Sequence, residues 1–234
     1  MIQFGRNGTE VDYLSDGGQG NLFPFSRLSA DLTLGKRHTI TALYQPLDLR
    51  TSQLLPRDLV IDDALFPAGT PTDFRYGFPF WRLTYLYDLL PSPDDELGVG
   101  AGVQIRNATI TFASQDGTVF RSNENIGPVP LLKVRFRKAI GKGWWLGAEA
   151  DGLYASGRII TGSNNDFLGS ILDASLRSGV EIMPSVDVFV NLRGLMGGAR
   201  GQEEDATGPG DGYTRNWLYT FSASLGVSLR VPGP

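Results

Sequence analysis

Alternation of apolar and polar side chains, kept up along most of the chain, is the feature that most limits what this sequence can fold into. It is clearest in residues 217–231, where Trp217 and Phe221 share one face and Ser222 and Arg230 share the other. Alternate residues of a β-strand point to opposite faces, whereas an α-helix would scatter the same residues around its circumference. This segment is therefore predicted to be a strand with one apolar and one polar face.

The same pattern recurs upstream and predicts an all-β protein with a single domain, residues 1–234. Short turns are predicted at residues 35–37, 91–94, 141–143 and 184–185, because Gly, Pro, Ser and Asp favour tight turns. Longer polar connections are predicted at 16–21, 51–72, 114–127, 159–166 and 201–212. Short and long connections alternate, so they delimit about ten strands. These are 2–15, 22–34, 37–50, 73–89, 96–113, 128–140, 144–158, 167–183, 186–200 and 213–231.

The composition excludes several kinds of protein. The 234 residues include 30 Gly and 14 Pro but no Cys, and the formal net charge is −4. Without Cys the chain has no disulfides, thiolate zinc sites or cysteine nucleophiles. The acidic balance gives no footprint for nucleic acid. Because no run of 18 apolar residues is present, a membrane-spanning form of this chain would have to be a closed barrel.

An even number of strands, with short turns at one end and long loops at the other, resembles the bacterial outer-membrane β-barrel proteins as a class. Residues 221–231 look like the terminal strand that the barrel-assembly machinery recognises in that class, although here the chain continues through Pro232 and Pro234. The resemblance implies a closed antiparallel up-and-down transmembrane β-barrel at the cell surface of a Gram-negative bacterium. Short periplasmic turns and long extracellular loops would give it a porin-like architecture. No signal peptide is visible at Met1, so the export segment is expected to have been removed.

In such a barrel the apolar face would contact outer-membrane lipid, with aromatic side chains at the membrane boundaries. Trp144 and Tyr154 share a face ten residues apart. At ~3.3 Å per residue and a tilt of about 40°, this separation spans about 25 Å of the membrane normal. The predicted lipid-facing and girdle residues are Trp81, Tyr85, Tyr87, Trp144, Tyr154, Trp217, Tyr219 and Phe221.

The polar face would line the lumen with charges of both signs. If residues 141–143 form a three-residue loop with Ile140 opposite Trp144, Arg135 falls opposite Glu149, and the next inward pair is also complementary. That next pair is Lys133 and Asp151. The predicted lumen charge network consists of Arg82, Asp88, Arg106, Lys133, Arg135, Arg137, Glu149, Asp151, Asp173, Arg177, Glu181, Arg193 and Arg230. Because barrels near eight strands are filled by side chains and open porins need about sixteen strands, a plugged lumen is favoured over a pore or ligand pocket.

No catalytic residue, cofactor or metal site is assigned. Outer-membrane enzymes with this architecture, such as the omptin proteases and the lipid A-modifying barrels, place a catalytic histidine near the extracellular half. The only histidine here, His38, adjoins the predicted short turn 35–37, at the opposite rim. An enzyme is therefore disfavoured.

The favoured function is a non-enzymatic binding, structural or adhesive role exercised through the extracellular loops. Loop 51–72 is unusually apolar, with Leu55, Ile61 and Phe66 among its members, and is the predicted contact for an extracellular ligand or partner. The alternatives are a narrow passive channel for small solutes and a soluble lipocalin-like ligand-binding barrel.

Overall fold

The protein is all-β in the computed structural model, which describes residues 1–90, 92, 94–156, 167–202 and 210–231. No helix in those residues is long and apolar enough to cross a membrane. The described strands are β1 (Ile2–Phe4), β2 (Leu28–Leu34), β3 (His38–Gln45), β4 (Asp48–Leu54), β5 (Leu59–Ile61), β6 (Ala64–Phe66), β7 (Pro71–Gly77), β8 (Phe80–Asp88), β9 (Glu96–Ser114), β10 (Phe120–Gly141), β11 (Trp144–Ser156), β12 (Phe167–Met183), β13 (Val186–Gln202) and β14 (Tyr213–Leu229).

One antiparallel sheet contains twelve of these strands, and its up-and-down topology confirms that part of the prediction. Its order is β1-β14-β13-β12-β11-β10-β9-β8-β3-β2, while β7 joins β4 to the far end of β9. Strands β5 and β6 form a separate small hairpin.

Three of the predicted short turns are present, and they define one end of the sheet, called here the short-turn end. These are the turns at residues 35–37, 141–143 and 184–185. Gly35, Lys142 and Ser185 have φ values of 63°, 53° and 68°, which fit tight β-hairpins. The opposite end, at which β9, β11 and β13 finish, is called the long-loop end. The predicted turn 91–94 and loops 159–166 and 201–212 fall wholly or partly outside the described residues.

The first predicted strand, residues 2–15, is wrong except for β1. At Gly5 φ is 77°, and a Cβ on Gly8 would lie 1.8 Å from the carbonyl oxygen of Phe4. These two glycines allow a turn too tight for other residues, and the chain doubles back so that Val11 lies beside Ile2. The predicted strand 22–34 is likewise shortened to β2.

The predicted strands 37–50 and 73–89 are each interrupted. A break at Pro46 separates β3 from β4, and a break at Pro79 separates β7 from β8, since proline has no N–H to donate to a ladder. Much of the two predicted loops 51–72 and 114–127 is strand instead: β4 pairs with β7, and β10 already begins at Phe120. Both hairpins extend the sheet toward the long-loop end.

Nine strands, β2, β3 and β8 to β14, reach the short-turn end in the described part of the chain, one fewer than predicted. The sheet is strongly curled, because side chains from strands far apart in its order touch: Arg82 of β8 contacts Asp173 of β12. A Cβ on Gly100 of β9 would lie 1.8 Å from the carbonyl oxygen of Tyr85, so only glycine permits this close approach of β8 and β9. No ladder joins β2 to β14 among the described residues, so the sheet is not closed by hydrogen bonds.

A conventional apolar core fills the long-loop end. It brings β1, residues 11–13 and the β5–β6 hairpin against β7 and the far end of β9. Phe112 lies at its centre and makes edge contacts with the rings of Phe4 and Phe74. Residues 1–19 together with the β5–β6 hairpin are called the cap below.

We expect Leu59→Ala to destabilise the cap by about 2–5 kcal/mol, because it opens a cavity among fully buried side chains. Leu65→Ala on the same hairpin removes a side chain that is 51% exposed and should cost less than about 1 kcal/mol. Urea unfolding of both variants, followed by tryptophan fluorescence, measures the difference. Equal effects would mean that the hairpin does not pack as described.

Candidate functional site: a charged interior beneath an apolar cap

The inner face of the curled sheet carries the charges, and strand parity places them there. Along β8, Arg82 and Thr84 are buried while Trp81 and Leu83 are exposed. Along β10, β12 and β13, buried polar residues likewise alternate with exposed apolar residues. Among the buried polar residues are Gln45, Thr84, Gln104, Lys133, Asp151, Asp173, Ser175, Asp187, Asn191 and Arg193.

A single connected ion-pair cluster occupies the middle of this interior. Arg82 Nη1 lies 2.9 Å from Asp151 Oδ2 and 2.9 Å from Asp173 Oδ2, and all three side chains are nearly inaccessible. Lys133 links Asp151 to Glu149, with Nζ–O distances of 3.0 and 2.6 Å. This chain of contacts spans β8, β10, β11 and β12.

Three further cations complete the cluster. Arg193 Nη2 donates to Asp173 Oδ2 at 2.6 Å, Arg27 Nη1 lies 3.4 Å from the same oxygen, and Arg177 Nη1 lies 2.8 Å from Glu149 Oε1. Five cations thus surround three carboxylates. Removing one member of such a buried cluster would leave uncompensated charge in a low-dielectric interior, so the cluster ties together the strands that supply its members.

The predicted register of β10 and β11 is confirmed: Lys133 pairs with Asp151 and Arg135 with Glu149. The predicted pairing of Ile140 with Trp144 is wrong, because a bulge leaves Ile140 unpaired and sets Gly141 opposite Trp144.

The side chain of Arg135 does not contact Glu149 in the structure. It reaches Asp31 of β2 and Glu96 of β9 instead, at 2.7 and 2.8 Å. Arg135 therefore joins three strands rather than forming the simple cross-strand pair that the register suggested.

A third group of charges lies near the short-turn end. Asp187 is contacted by Arg137 at 3.3 Å and by Arg230 at 3.4 Å, and Arg230 also lies 2.8 Å from Glu181. Two of the predicted network members take other roles. Asp88 accepts hydrogen bonds from the backbone N–H groups of its own turn region, and Arg106 donates to the amide of Asn125 at 2.7 Å.

Two aromatic side chains also point inward, which the sequence analysis missed. The indole of Trp145 lies over Gly179, and the ring of Phe189 lies over Gly226, in both cases occupying the space that a glycine Cβ would need. The guanidinium of Arg137 stacks 4.0 Å from the Trp145 ring centre. The inward parity of both residues and the two facing glycines were visible in the sequence, and together they could have identified this layer.

The sequence analysis also missed Gln45, an uncharged residue that is buried in the interior. Its Oε1 accepts a hydrogen bond from Arg193 across the interior. A small apolar layer of Leu43, Phe80, Ile171 and Leu195 adjoins the ion-pair cluster. From the short-turn end, the buried side chains of the interior are thus aromatic, then charged, then apolar, and finally those of the cap.

The predicted girdle residues all lie on the outer face. Trp81, Tyr85, Trp144, Tyr154, Tyr219 and Phe221 are exposed, and Tyr87 and Trp217 are partly exposed. His38 is also on the outer face, where its Nδ1 lies 2.7 Å from the hydroxyl of Tyr85. No group of three or more His, Asp or Glu side chains is placed to hold a metal ion in the described residues.

The cap is held by polar contacts as well as by its core. Arg57 donates to Asp16 from Nε at 3.0 Å and from Nη2 at 2.7 Å. Burial alone would raise the pKa of Asp16, but the hydrogen bonds from Arg57 and from the N–H of Asp12 outweigh it and lower that pKa. Thr9 donates its N–H to the carbonyl of Val60 at 2.7 Å, which ties the two parts of the cap together.

Loop 51–72 uses most of its apolar side chains inside the protein. Leu55, Leu59, Ile61 and Phe66 are buried in the cap, and Leu54 and Leu65 remain exposed. The apolar character that suggested an external partner is therefore largely explained by internal packing.

Searches of protein-family models and of curated proteins find nothing that matches this chain.

We expect Asp173→Asn to destabilise the folded protein by about 3–5 kcal/mol, because it leaves three buried guanidinium groups short of their shared counter-charge. The matched control is Asp63→Asn, which removes an equally short but solvent-exposed pair with Arg121 and should cost less than about 1 kcal/mol. The free energy of unfolding in urea distinguishes the two. Similar losses would show that the cluster does not hold the strands together.

Proposed function

We propose that this chain is an integral outer-membrane β-barrel with an occluded, ion-paired lumen and a non-enzymatic structural or binding role. The observation that carries the proposal is the inverted burial of the curled sheet. Phe221 and Leu225 are 77% and 85% exposed, whereas Arg82 and Asp173 are 3% and 2% exposed. Such a surface suits hydrocarbon on the outside and paired charge within.

The extent of the apolar outer surface supports a membrane environment. Soluble monomers rarely expose a contiguous apolar patch of more than a few hundred Å². Here exposed apolar side chains follow one another around the sheet from β2 to β14. They include Leu28, Leu32, Leu34, Trp81, Leu83, Val103, Ile105, Leu132, Val134, Phe136, Leu146, Leu172, Leu176, Val190, Leu192, Phe221, Leu225 and Val227.

A soluble lipocalin-like barrel is less well supported, because it would place its apolar face inside and its charges in water. Apolar side chains inside this sheet are concentrated in the cap and in the four-residue layer beneath it. Below them most of the inner face is charged, polar or small, and Leu86, Leu131, Trp145 and Phe189 are its large apolar side chains.

Closure of the sheet is part of the proposal. An unpaired backbone N–H or C=O in hydrocarbon costs several kcal/mol, so the free edges of β2 and β14 must be paired in a membrane. Along β2 and β14 themselves, residues alternate apolar outward and polar inward as in the rest of the sheet. The outer face of both edge strands is therefore suited to contact with lipid once the edges are paired.

Occlusion favours a structural or binding role over a channel. The occluded lumen is supported by the layers of buried side chains along the interior and by the cap over the long-loop end. Any partner recognised from outside would therefore meet the exposed loop surfaces, including Leu54 and Leu65 of the segment 51–72.

A pair of exposed leucines tests the membrane assignment. Leu192→Arg, on the outer face of β13, should lower the free energy of unfolding in lipid vesicles by about 2–4 kcal/mol, the cost of a cation at bilayer mid-depth. Leu54→Arg, on β4 at the long-loop end and therefore away from mid-depth, should change it by less than about 1 kcal/mol. In a soluble protein both changes would be harmless, and folding would not need detergent. Heat-modifiable gel migration provides the assay for folded protein.

Planar-bilayer recording tests occlusion. The unmodified protein should give no sustained current, and Arg135→Ala should produce leakage because it frees β2 from its contact across the interior. The control is Lys138→Ala on the same strand as Arg135, which removes only an exposed contact with Asp95. Sustained ohmic conductance from the unmodified protein would favour the narrow passive channel instead.

A further inference from the structure

Two unpaired strand edges border one gap in the sheet, called here the seam. One edge is β2, and the other is residues 218–229 of β14. Residues 218–229 pair with β13 on one side only, and β2 pairs with β3 on one side only, in the described residues. The rest of the described sheet between them is continuous.

The two edges run in the same direction. β2 leads into the turn 35–37 at the short-turn end, and β14 finishes at the same end, where Leu229 pairs with Val186 beside the turn 184–185. Direct pairing of the edges would therefore be parallel, in a sheet whose other ladders are all antiparallel. One additional strand running the opposite way would pair antiparallel with both edges and would bring the strands at the short-turn end to an even number.

The ladder that such a strand would extend has already begun. β1 pairs antiparallel with β14, and Met1 exchanges both backbone hydrogen bonds with Trp217, at 3.0 and 2.9 Å. The next positions of this ladder are residues 218–229, which are the free edge of the seam. A strand whose carboxyl end abuts Met1 would continue the same register.

Short side chains line the inner face on both sides of the seam. The inward residues of the β14 edge are all small: Thr220, Ser222, Ser224, Gly226 and Ser228. On β2 they are Ser29, Asp31 and Thr33, all exposed. The outward residues of both edges are mainly apolar. An occupant would therefore need apolar residues outward and small polar residues inward.

The geometry points to the seam as a binding site for one extended polypeptide strand of about twelve residues, antiparallel to both β2 and β14 and continuing the β1 ladder. This inference rests on the proposed membrane barrel, since lipid is what makes open edges costly. The mode of recognition is strand addition, in which main-chain hydrogen bonds supply the affinity and alternate side chains set the specificity.

Because the chain has no cysteine, engineered thiols can test the seam without background. Ala30→Cys on β2 is combined in turn with Phe221→Cys, Ala223→Cys, Leu225→Cys or Val227→Cys on the outer face of β14. A disulfide needs Cα atoms within about 7 Å, which adjacent strands provide and strands separated by another, at about 10 Å, do not.

The probe is a synthetic twelve-residue peptide that alternates leucine or valine with serine or threonine and carries one outward cysteine near its middle. A scrambled peptide without alternation is the control. A second arm fuses the same sequence, without its cysteine, ahead of Met1, where tethering raises its effective concentration. Each preparation is first shown to be folded by heat-modifiable migration.

We expect no direct disulfide between β2 and β14, saturable binding of the alternating peptide, and disulfides from the peptide to Cys variants of both edges. The fusion should raise the urea midpoint of unfolding, and the scrambled peptide should not bind. If folded protein fails to bind the peptide, the inference is overturned, and a direct β2–β14 disulfide would then show parallel closure. Either of these results leaves the proposed membrane barrel intact. A protein that folds without detergent would overturn both the membrane barrel and the binding site at the seam.

Discussion

Pairing of opposite charges across a shared interior is the constraint on which the rest of this structure depends. Asp173 on β12 receives guanidinium groups from β8, from β13 and from the residue preceding β2. Partners this far apart in the sheet can meet only if the sheet curls with its polar face inward. The apolar side chains are then forced outward, and the membrane environment that we propose rests on that orientation. The ion pairs determine how the strands are arranged more than they raise the free energy of unfolding, because burying them also costs desolvation free energy.

The two ends of the interior are built on different physical principles. At the long-loop end the cap is an ordinary apolar core, in which Phe66 and Phe112 are almost inaccessible. Toward the short-turn end, space is filled by charge pairs and by Trp145 and Phe189 lying over glycines. The larger apolar core lies where additional chain, here residues 1–19 and the β5–β6 hairpin, supplies a second layer against the sheet.

The sequence was sufficient for the regular part of the fold. Alternation and turn residues located β9 and β11 to β14 within a few residues, and the 141–143 turn predicted the pairing of Lys133 with Asp151. The sequence was insufficient for the parts of the fold that depend on contacts between residues far apart in the chain. Residues 2–15 alternate like a strand, yet Gly5 and Gly8 reverse the chain and the cap core retains it. The side chain of Arg135 left its predicted partner for Asp31 and Glu96, because a long flexible side chain can choose among several carboxylates that parity alone places nearby.

The contact between β1 and β14 imposes an order of events on folding. Ile2 pairs with Asn216, and Asn216 also hydrogen-bonds to the hydroxyl of Tyr76, so the amino-terminal residues dock on a strand from the far end of the chain. Closing so long a loop is entropically unfavourable until the intervening hairpins have formed. The amino-terminal cap residues are therefore expected to dock late, and the interior stays accessible from the long-loop end until β14 has been laid down.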